Sequence, residues 1–396
     1  MNVRAMKAID HYIGIPVCFV LDFFQMLAGL FPKTASSPPK KILIMKYFGI
    51  GSILLSSPLL RAIKNKYPAA KIAFLTFATN QDIVNRLALV DVVYTLRTDS
   101  SAHFVADLLS TIWKIRHERY DITIDMEFFA KFSTIMTYIS GSPIRIGYFL
   151  RQLWRGNLLT HQIYYNHYKH ITEVFGALAA PLEVQISDYS LTRPMLSEAE
   201  NTAAGLILEK EGVQKNDLLI GFNVNVSDLS LERRWPKQEF QTLAKALLKE
   251  LNVKLVFIGA PVDRTYVDEV LAGLGSSAQV VNLAGKTRLG ELLGVFTRLA
   301  LFVTNDSGPL HIAAALGVPT LSLFGPETPV LYGPKGGDPL IFYKGLYCSP
   351  CLSVFNAKTA PCSGQNICMQ SISSEAVLDA MRQRFPAIWK KYGHDS

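Results

Sequence analysis

The sequence has few charged residues and few cysteines. Only 18% of its 396 residues are Asp, Glu, Lys or Arg, whereas 49% are hydrophobic. Intrinsic disorder requires the opposite balance and is excluded. The 26 Gly and 20 Pro residues follow no period, so a collagen-like or low-complexity chain is excluded as well. Five cysteines are too few for a disulfide scaffold, and they indicate a reducing compartment.

The charge balance is mildly basic, with 40 Lys and Arg against 32 Asp and Glu and a formal net charge of +8. This excess suits anionic ligands such as phosphates, or a membrane surface. It is too widely spread to form the clustered basic face that nucleic acid requires, so no nucleic-acid partner is expected. A chain of this length predicts at least two domains.

One apolar segment stands out near the N-terminus. Residues 12–31 are apolar except for Asp22 and Gln25, and on a helical wheel Cys18, Asp22, Gln25 and Gly29 form one stripe. This pattern predicts a helix lying in a membrane surface with its polar stripe outward. The flanking basic residues that would assist are Arg4, Lys7, Lys33, Lys40 and Lys41. Two alternatives stay open: a helix packed on the protein's own core, and a cleaved signal peptide or membrane span.

Strands alternate with helices through the rest of the chain. Short aliphatic runs predict strands at 41–45, 71–77, 91–96 and 121–126 in a first series, and at 218–224, 254–258, 280–282, 301–304 and 320–324 in a second. This alternation predicts two doubly wound α/β domains with parallel sheets. We place the divisions at 1–40 for the helix and linker, 41–205 for the first domain and 206–396 for the second. Two such domains facing each other would hold ligands in the cleft at the carboxyl ends of their strands.

The segment 303–320 carries the clearest chemical signal. A strand is expected to end at Thr304 and a helix to begin near Pro309, after a turn at Gly308. The free N–H groups and the positive end of such a helix form a natural diphosphate site. Ser307 and His311 can donate hydrogen bonds there. Asp306 would repel an anion, so we expect it to cap the helix or orient a neighbouring donor.

This segment resembles the hallmark of glycosyltransferase family 9, the ADP-heptose–lipopolysaccharide heptosyltransferases and their relatives. The resemblance covers most of residues 41–380 and rests on several segments in the same order. These are 42–61 around Gly-Ile-Gly-Ser, 120–125 (Tyr-Asp-Ile-Thr-Ile-Asp), 233–236 (Arg-Arg-Trp-Pro), 283–287 (Leu-Ala-Gly-Lys-Thr), 305–311 (Asn-Asp-Ser-Gly-Pro-Leu-His) and 348–351 (Cys-Ser-Pro-Cys). The family implies a GT-B fold, in which two Rossmann-like domains face each other across a cleft.

The resemblance also implies a donor site in the second domain. The donor diphosphate would lie against Ser307, Gly308 and His311, and two further positions match family positions that contact phosphate, Ser227 and Arg233. Asp263 lies where the family often has an acidic residue near the nucleoside. The sequence contains no Asp-x-Asp motif, so we expect no metal clamp and no cofactor in catalysis. Basic side chains and the helix end would neutralise the leaving group.

The first loop departs from the family pattern. Relatives usually read Ile-Gly-Asp, and that Asp is thought to deprotonate the acceptor; this chain reads Ile-Gly-Ser and has Ser52. A serine hydroxyl is no general base near neutral pH. We therefore consider Glu127, and after it Asp125, as the catalytic base at the end of a predicted strand. A structural role for Glu127, such as capping a helix or pairing with Lys131, stays open.

By resemblance, the first domain also holds the acceptor. Gly51 and Ser52 lie in the first loop, and Lys46 precedes it; Arg145 lies where relatives contact acceptors. Such residues suit a lipid-linked or lipopolysaccharide glycan. Ordinary surface or strand-edge roles remain alternatives for them.

Four cysteines cluster in a loop spanning residues 348–368: Cys348, Cys351, Cys362 and Cys368. Their spacing is compatible with a small structural zinc site.

Taken together, the sequence predicts an inverting, metal-independent glycosyltransferase. It would act on the cytoplasmic face of the inner membrane as a peripheral protein, moving a sugar from a nucleoside-diphosphate donor to a lipopolysaccharide core or related glycan. Heptose is the sugar that the resemblance implies. A catalytically inactive nucleotide-sugar-binding protein and a nucleotide-sugar 2-epimerase are the alternatives, and Ser52 favours the first of these.

Overall fold

A computed structural model describes residues 3–28, 38–150, 154–228, 230–275, 277–356, 358–362 and 365–394. The chain divides into two compact units. Unit 1 consists of Met1–Thr192 with Val354–Ala357, and unit 2 of Arg193–Ser353 with Lys358–Ser396. Each unit is built on one parallel sheet.

The sheet of unit 1 has six strands in the order β3-β2-β1-β4-β5-β6, all parallel. The strands are β1 (Lys41–Met45), β2 (Lys71–Phe77), β3 (Val92–Leu96), β4 (Ile122–Asp125), β5 (Ile144–Phe149) and β6 (His161–Tyr164). The central strand β1 is a nearly continuous aliphatic run because helices cover both faces of a parallel sheet. The chain reverses its direction of winding between β1 and β4, so this is the switch point at which such sheets bind ligands.

Eight helices belong to unit 1 within the described residues. They are α1 (Val3–Tyr12), α2 (Gly14–Ala28), α3 (Ile50–Leu55), α4 (Ser57–Lys66), α5 (Gln81–Leu87), α6 (Ser101–Glu118), α7 (Lys131–Ile139) and α8 (Ile171–Ala177). Helices α1 and α2 follow one another through Ile13, whose N–H donates to the Ile9 carbonyl and whose carbonyl accepts from the Val17 N–H, and both pack on α7. Gly14 permits this close approach, since a Cβ there would lie 2.9 Å from the Lys131 Cβ. The N-terminal segment is therefore part of unit 1.

The polar stripe of α1 and α2 faces the protein. The Asp10 carboxylate accepts hydrogen bonds from the backbone N–H groups of Lys131 (3.0 Å) and Phe132 (2.7 Å), at the start of α7. Asp22 accepts from the backbone N–H of Asn157 (2.6 Å). The expectation of an outward polar stripe is thus wrong, because these groups find better partners on unit 1 than in water. Of the predicted segment, Gly29 and Lys33 lie outside the described residues.

No helix in the described part of the chain combines the length and the apolar character that a membrane span requires.

Unit 2 repeats the architecture with the order β12-β11-β10-β7-β8-β9, again all parallel. Its strands are β7 (Leu218–Asn223), β8 (Val253–Phe257), β9 (Val280–Asn282), β10 (Leu301–Asn305), β11 (Thr320–Phe324) and β12 (Pro339–Tyr343). Its helices are α9 (Glu198–Lys210), α10 (Lys237–Glu250), α11 (Arg264–Ala272), α12 (Leu289–Phe296), α13 (Gly308–Leu316), α14 (Pro329–Tyr332), α15 (Ile367–Gln370), α16 (Ser374–Arg384) and α17 (Pro386–Tyr392). The switch point lies between β7 and β10.

The two units divide at Thr192 and Arg193, earlier than the boundary at residue 205 expected from the sequence. The boundary expected at residue 205 falls inside helix α9, which begins with a Ser197–Glu200 capping box. Its buried face, with Ala204, packs on α12 of unit 2, where Gly294 lets the helices touch. The helix therefore belongs to the second unit.

This contact predicts opposite effects of two glycine substitutions. In Gly294→Ala the new Cβ would lie 2.6 Å from the Ala204 Cβ, so we expect overpacking to lower the free energy of unfolding by about 1–3 kcal/mol. In Gly205→Ala the nearest atom is the end of the Arg298 side chain at 3.3 Å. That variant should gain about 0.5–1 kcal/mol from helix propensity. Urea unfolding measures both, and equal stabilities would contradict the packing of α9 on α12.

Candidate active site

Polar side chains converge at the switch point of unit 2. Asn223 ends β7, and its amide Nδ2 donates hydrogen bonds to the Ser307 hydroxyl (2.9 Å) and the Thr304 hydroxyl (3.2 Å). Asn305 ends β10 and its side chain accepts from the backbone N–H of Trp235 (2.9 Å). All of these side chains are buried. They tie the loop after β7 to the start of α13 as one rigid element.

Helix α13 begins at this point without a side-chain cap. Ser307 is its N-cap residue, with extended backbone (φ −158°, ψ 168°), but its hydroxyl makes no capping bond. The helix ends at Gly317, which adopts the left-handed conformation with φ 81°, in agreement with the sequence-based prediction. The uncapped start leaves the positive end of the helix dipole available to an anion.

Arg233 lies against this helix start. Its guanidinium donates to the Asp306 backbone carbonyl (3.1 Å) and carboxylate (3.4 Å), and to the Ser227 hydroxyl (3.1 Å). Asp306 therefore does not cap the helix; it holds a neighbouring cation, which is the other role considered for it. The arrangement fixes one guanidinium beside an uncapped helix N-terminus.

A second arginine is fixed by the same loop. Arg234 Nε donates to the Asn225 side-chain oxygen (2.6 Å), and the Asn225 amide donates to Asp263 (2.5 Å). The Arg234 guanidinium also lies over the Tyr266 ring, 4.1 Å from its centroid. Asp263 is thus an acceptor for Asn225 and for the Ala260 N–H (2.8 Å).

A cavity of about 540 Å³ adjoins Arg234. It is lined by Arg234, Trp235, Pro236, Gln238, Glu239, Tyr266, Asn366 and Gln370. It offers both aromatic and hydrogen-bonding groups within reach of the arginine pair.

The sequence analysis missed Asn223, Asn225 and Arg234. The signal was available, because the two asparagines directly follow a buried strand, at the edge where ligands of α/β sheets bind. Of the predicted residues, Ser227, Arg233, Asp306, Ser307 and Gly308 come together at the start of α13. His311 lies buried in the first turns of the same helix.

The switch point of unit 1 is built around a buried ion pair. Glu127, just beyond β4, receives three hydrogen bonds at one carboxylate oxygen: from Lys46 Nζ (2.8 Å) and from the backbone N–H groups of Tyr47 (2.7 Å) and Phe48 (3.0 Å). Both charged side chains are almost fully buried, at 2% and 1% exposure. Glu127 therefore holds the loop between β1 and α3 in place, and its partner is Lys46 rather than Lys131.

Asp125 is equally enclosed. Its carboxylate accepts hydrogen bonds from the Glu127 N–H (2.9 Å), the Ser133 hydroxyl (2.8 Å) and the Arg155 guanidinium (3.2 Å). Burial raises the pKa of this carboxyl, and the nearby Arg155 charge opposes that shift. These contacts join β4 to α7 and leave the side chain directed inward.

This geometry favours positioning roles for both carboxylates over the base role predicted for them. A general base must reach the hydroxyl it deprotonates, and both groups are enclosed and committed to internal donors. Lys46 is likewise turned inward. Gly49, with φ 86°, precedes α3, and Gly51 and Ser52 lie in its first turn. Gly51 is buried and Ser52 half-buried.

Arg145 does not lie with these residues. It stands at the amino end of β5, the opposite edge of the sheet from the carboxyl ends. Its guanidinium donates to the carbonyls of Leu158 (2.7 Å) and Ser142 (2.8 Å) and to the Gln25 side chain (3.0 Å). We therefore remove Arg145 from the acceptor set: it anchors helix α2.

The structure shows no zinc site at the four thiols. Among the described residues, which include all four, no group of three or more His, Cys, Asp or Glu side chains is placed to hold a metal ion. Cys348 is exposed, whereas Cys368 is buried in the core of unit 2 beneath Gly325. Burial raises the pKa of Cys368 to about 11, and the other three thiols contribute to the rise.

Two parallel six-stranded sheets in this order, with polar clusters at their switch points, define the GT-B class of glycosyltransferase folds. The solved structure of ADP-heptose lipopolysaccharide heptosyltransferase II from Escherichia coli superimposes with a TM-score of 0.69 at 22% identity, covering 89% of this chain and 99% of that chain. E. coli heptosyltransferase WaaC with ADP-2-deoxy-2-fluoro heptose gives a TM-score of 0.61 at 17% identity, covering 87% and 99%.

Sequence comparison identifies the family. Lipopolysaccharide heptosyltransferase 2 of Salmonella typhimurium is 27% identical over 303 residues, which is 73% of this chain and 84% of that protein. The profile of glycosyltransferase family 9 (heptosyltransferase) matches residues 108–359. The chain belongs to this family and is a glycosyltransferase of the heptosyltransferase type.

The ion pair in unit 1 predicts a folding defect in Glu127→Gln. The substitution leaves the Lys46 ammonium buried without a counter-charge, so we expect the free energy of unfolding to fall by about 3–5 kcal/mol. Lys46→Met combined with Glu127→Gln removes that charge and should restore most of the loss. Glu118→Gln, which weakens a half-exposed pair with Lys41, is the matched control and should cost under about 1 kcal/mol.

Denaturant unfolding and steady-state turnover together decide between the two roles of Glu127. A Glu127→Gln protein as stable as the wild type but without turnover would contradict the positioning role and support the catalytic base.

Proposed function

We propose that this protein transfers heptose from ADP-heptose to a lipopolysaccharide core acceptor, with inversion at the sugar and without a catalytic metal. Family membership supports the reaction class, and the names of the similar proteins, which include ADP-heptose enzymes acting on lipopolysaccharide, support the substrates. The identity of 27% leaves the particular sugar and acceptor to this proposal.

The observation that carries the proposal is the guanidinium of Arg233 beside the uncapped start of α13. Transfer leaves a nucleoside diphosphate, whose negative charge grows as the bond to the sugar breaks. Donors that are already in place stabilise that charge without reorganisation. Ser227, Ser307 and the Gly308 N–H would surround the diphosphate, while Arg233 would exchange part of its contact with Asp306 for a phosphate oxygen.

The nucleoside would occupy the cavity beside Arg234 and Tyr266. Its volume of about 540 Å³ is ample for a nucleoside, and its walls combine an aromatic ring with amide groups. Asp263 accepts a hydrogen bond from Asn225, which in turn accepts one from Arg234, so it would help to fix the Arg234 side of this pocket.

In unit 1 the loop from Lys46 to Ser52 would receive the acceptor. Glu127 fixes this loop through the N–H groups of Tyr47 and Phe48, so it acts as a positioning residue. The metal-independent mechanism rests on the arginines and the helix start in unit 2, which supply the positive charge that a cation would otherwise bring.

One observation favours a second candidate, a nucleotide-sugar-binding protein without transfer activity. Ser52 occupies the position where the family usually has an aspartate, and a hydroxyl cannot accept a proton near neutral pH. Such a protein would bind ADP and its sugars yet release no ADP.

Localisation follows from the acceptor. We propose that the protein works as a peripheral protein on the cytoplasmic face of the inner membrane, where a lipid-linked core would be accessible to a nucleotide-sugar enzyme.

Substitution of Arg233 tests the donor site. Because charge-assisted hydrogen bonds to phosphate would be lost, Arg233→Ala should weaken ADP binding by about a hundredfold. Arg384→Ala, which breaks an exposed pair with Asp338, is the control and should leave ADP affinity unchanged. Isothermal titration with ADP measures both, and equal affinities in the two variants would remove Arg233 from the site.

Turnover decides between the two candidate functions. With ADP-heptose and a heptose-deficient lipopolysaccharide core, in EDTA, the transferase releases ADP only when acceptor is present. Binding of ADP without any release would establish the inactive protein instead, and release in Ser52→Asp alone would show that the missing carboxylate is the cause. Activity that disappears in EDTA and returns with Mg²⁺ would contradict the metal-independent mechanism.

A further inference from the structure

We propose that the outward face of helices α1 and α2 docks in the surface of an anionic lipid bilayer. This face consists of exposed apolar side chains, chiefly Tyr12, Ile13, Phe19, Phe23, Phe24 and Met26. We call it the N-terminal face. The proposal extends the proposed function, since it supplies the contact by which unit 1 would meet a lipid-linked acceptor.

Helices α1 and α2 are amphipathic in the reverse sense to an ordinary surface helix. Three of their polar side chains bond to the rest of unit 1: Asp10 to α7, Asp22 to Asn157 and Gln25 to Arg145. The side chains of the N-terminal face point away from the core, and Phe19 is 71% exposed. A helix on a water-soluble surface would show the opposite pattern.

The contacts on the inner side fix this orientation. Cys18 is fully buried, and burial raises the pKa of its thiol to about 11. Gly156, with φ 76°, comes close to both Cys18 and Asp22. Rotating α2 to hide its aromatic rings would break the Asp22 bonds and expose Cys18, so the N-terminal face stays outward.

Helix α6 continues the same surface. Met6 of α1 packs in the hydrophobic cluster that includes Phe104 and Leu108 of α6. On its outer side α6 exposes Val105, Leu109 and Trp113, one turn apart, with Trp113 66% exposed. Tryptophan and tyrosine at the rim of an apolar face are typical of membrane interfaces.

The charges around this surface are basic. The only acids in residues 1–31 are Asp10 and Asp22, and both are turned into unit 1. Arg4 and Lys7 belong to the sequence of α1, and α6 exposes Lys114 beside its apolar stripe. An anionic bilayer would attract this excess of basic residues.

A second copy of the chain is the other possible occupant, and the charges disfavour it. In a two-fold dimer the same patch meets itself, so the basic residues of the two copies would be brought together. A bilayer with anionic headgroups instead complements them.

The test measures flotation of the full-length protein with vesicles of phosphatidylglycerol and phosphatidylethanolamine, and with vesicles of phosphatidylcholine alone. We expect binding to the anionic vesicles that weakens with salt. Phe19→Asp combined with Phe23→Asp should reduce that binding by at least about tenfold, because two rings that would insert in the bilayer are replaced by charges. Leu206→Asp combined with Tyr347→Asp, two exposed sites in unit 2, is the matched control and should float like the wild type.

Thermal unfolding and ADP titration accompany each variant, and Trp113→Asp serves as a second, independent substitution on α6. Unchanged flotation of the variants of both the N-terminal face and α6 overturns the proposal. So does a concentration-dependent dimer, seen by sedimentation velocity, that the N-terminal-face variant abolishes without any vesicle binding. Vesicle binding by a wild-type protein that does not bind ADP would refute the proposed donor site but not the docking of the N-terminal face. ADP binding without vesicle binding would refute the docking alone.

Discussion

The contact between the Arg233 guanidinium and the start of α13 is the constraint on which the proposed donor site depends. Hydrogen bonds hold both groups: Arg233 donates to Asp306 and Ser227, and Asn223 donates to Ser307 at the helix start. A cation and an uncapped helix end are therefore aligned before any ligand arrives. Such preorganisation would stabilise a leaving diphosphate, because donors that must reorient during the reaction stabilise the transition state less.

Unit 1 uses a different device at the equivalent switch point. There a buried carboxylate, Glu127, draws the backbone N–H groups of Tyr47 and Phe48 and the Lys46 ammonium toward one oxygen. The switch point of unit 2 thus holds the Arg233 guanidinium beside the start of α13, whereas that of unit 1 holds the Lys46–Glu127 ion pair beneath the loop between β1 and α3. This difference fits the proposed roles of unit 2 as the donor unit and unit 1 as the acceptor unit.

Much of the fold was predictable because parallel strands are buried on both sides and read as short aliphatic runs. Strand β1 and strand β2 were predicted with their observed bounds. Strands β5, β6 and β12 were not predicted: β6 and β12 are partly exposed, and the buried β5 has Arg145 and Gly147 within its apolar run. Helix α9 was not predicted either, because its apolar contribution to packing is small, with Ala204 among its few buried residues.

The candidate site was only partly predictable. The residues at the start of α13 follow from a local pattern, and so they were found. The pairing of Lys46 with Glu127 joins positions about eighty residues apart, and no local pattern reveals it. Arg145 resembled a ligand-binding cation in sequence, but its acceptors on the loop before β6 and on α2 show an anchoring role. The inward turn of Asp22 likewise depends on Asn157, a partner that the helical wheel cannot show.

The most direct measurement of the central claim is a crystal structure of the protein with ADP. The account predicts diphosphate oxygens at about 3 Å from the Arg233 guanidinium and from the Gly308 N–H. A diphosphate bound elsewhere, or an Arg233 that keeps all its contacts with Asp306 and Ser227 while ADP is present, would contradict it.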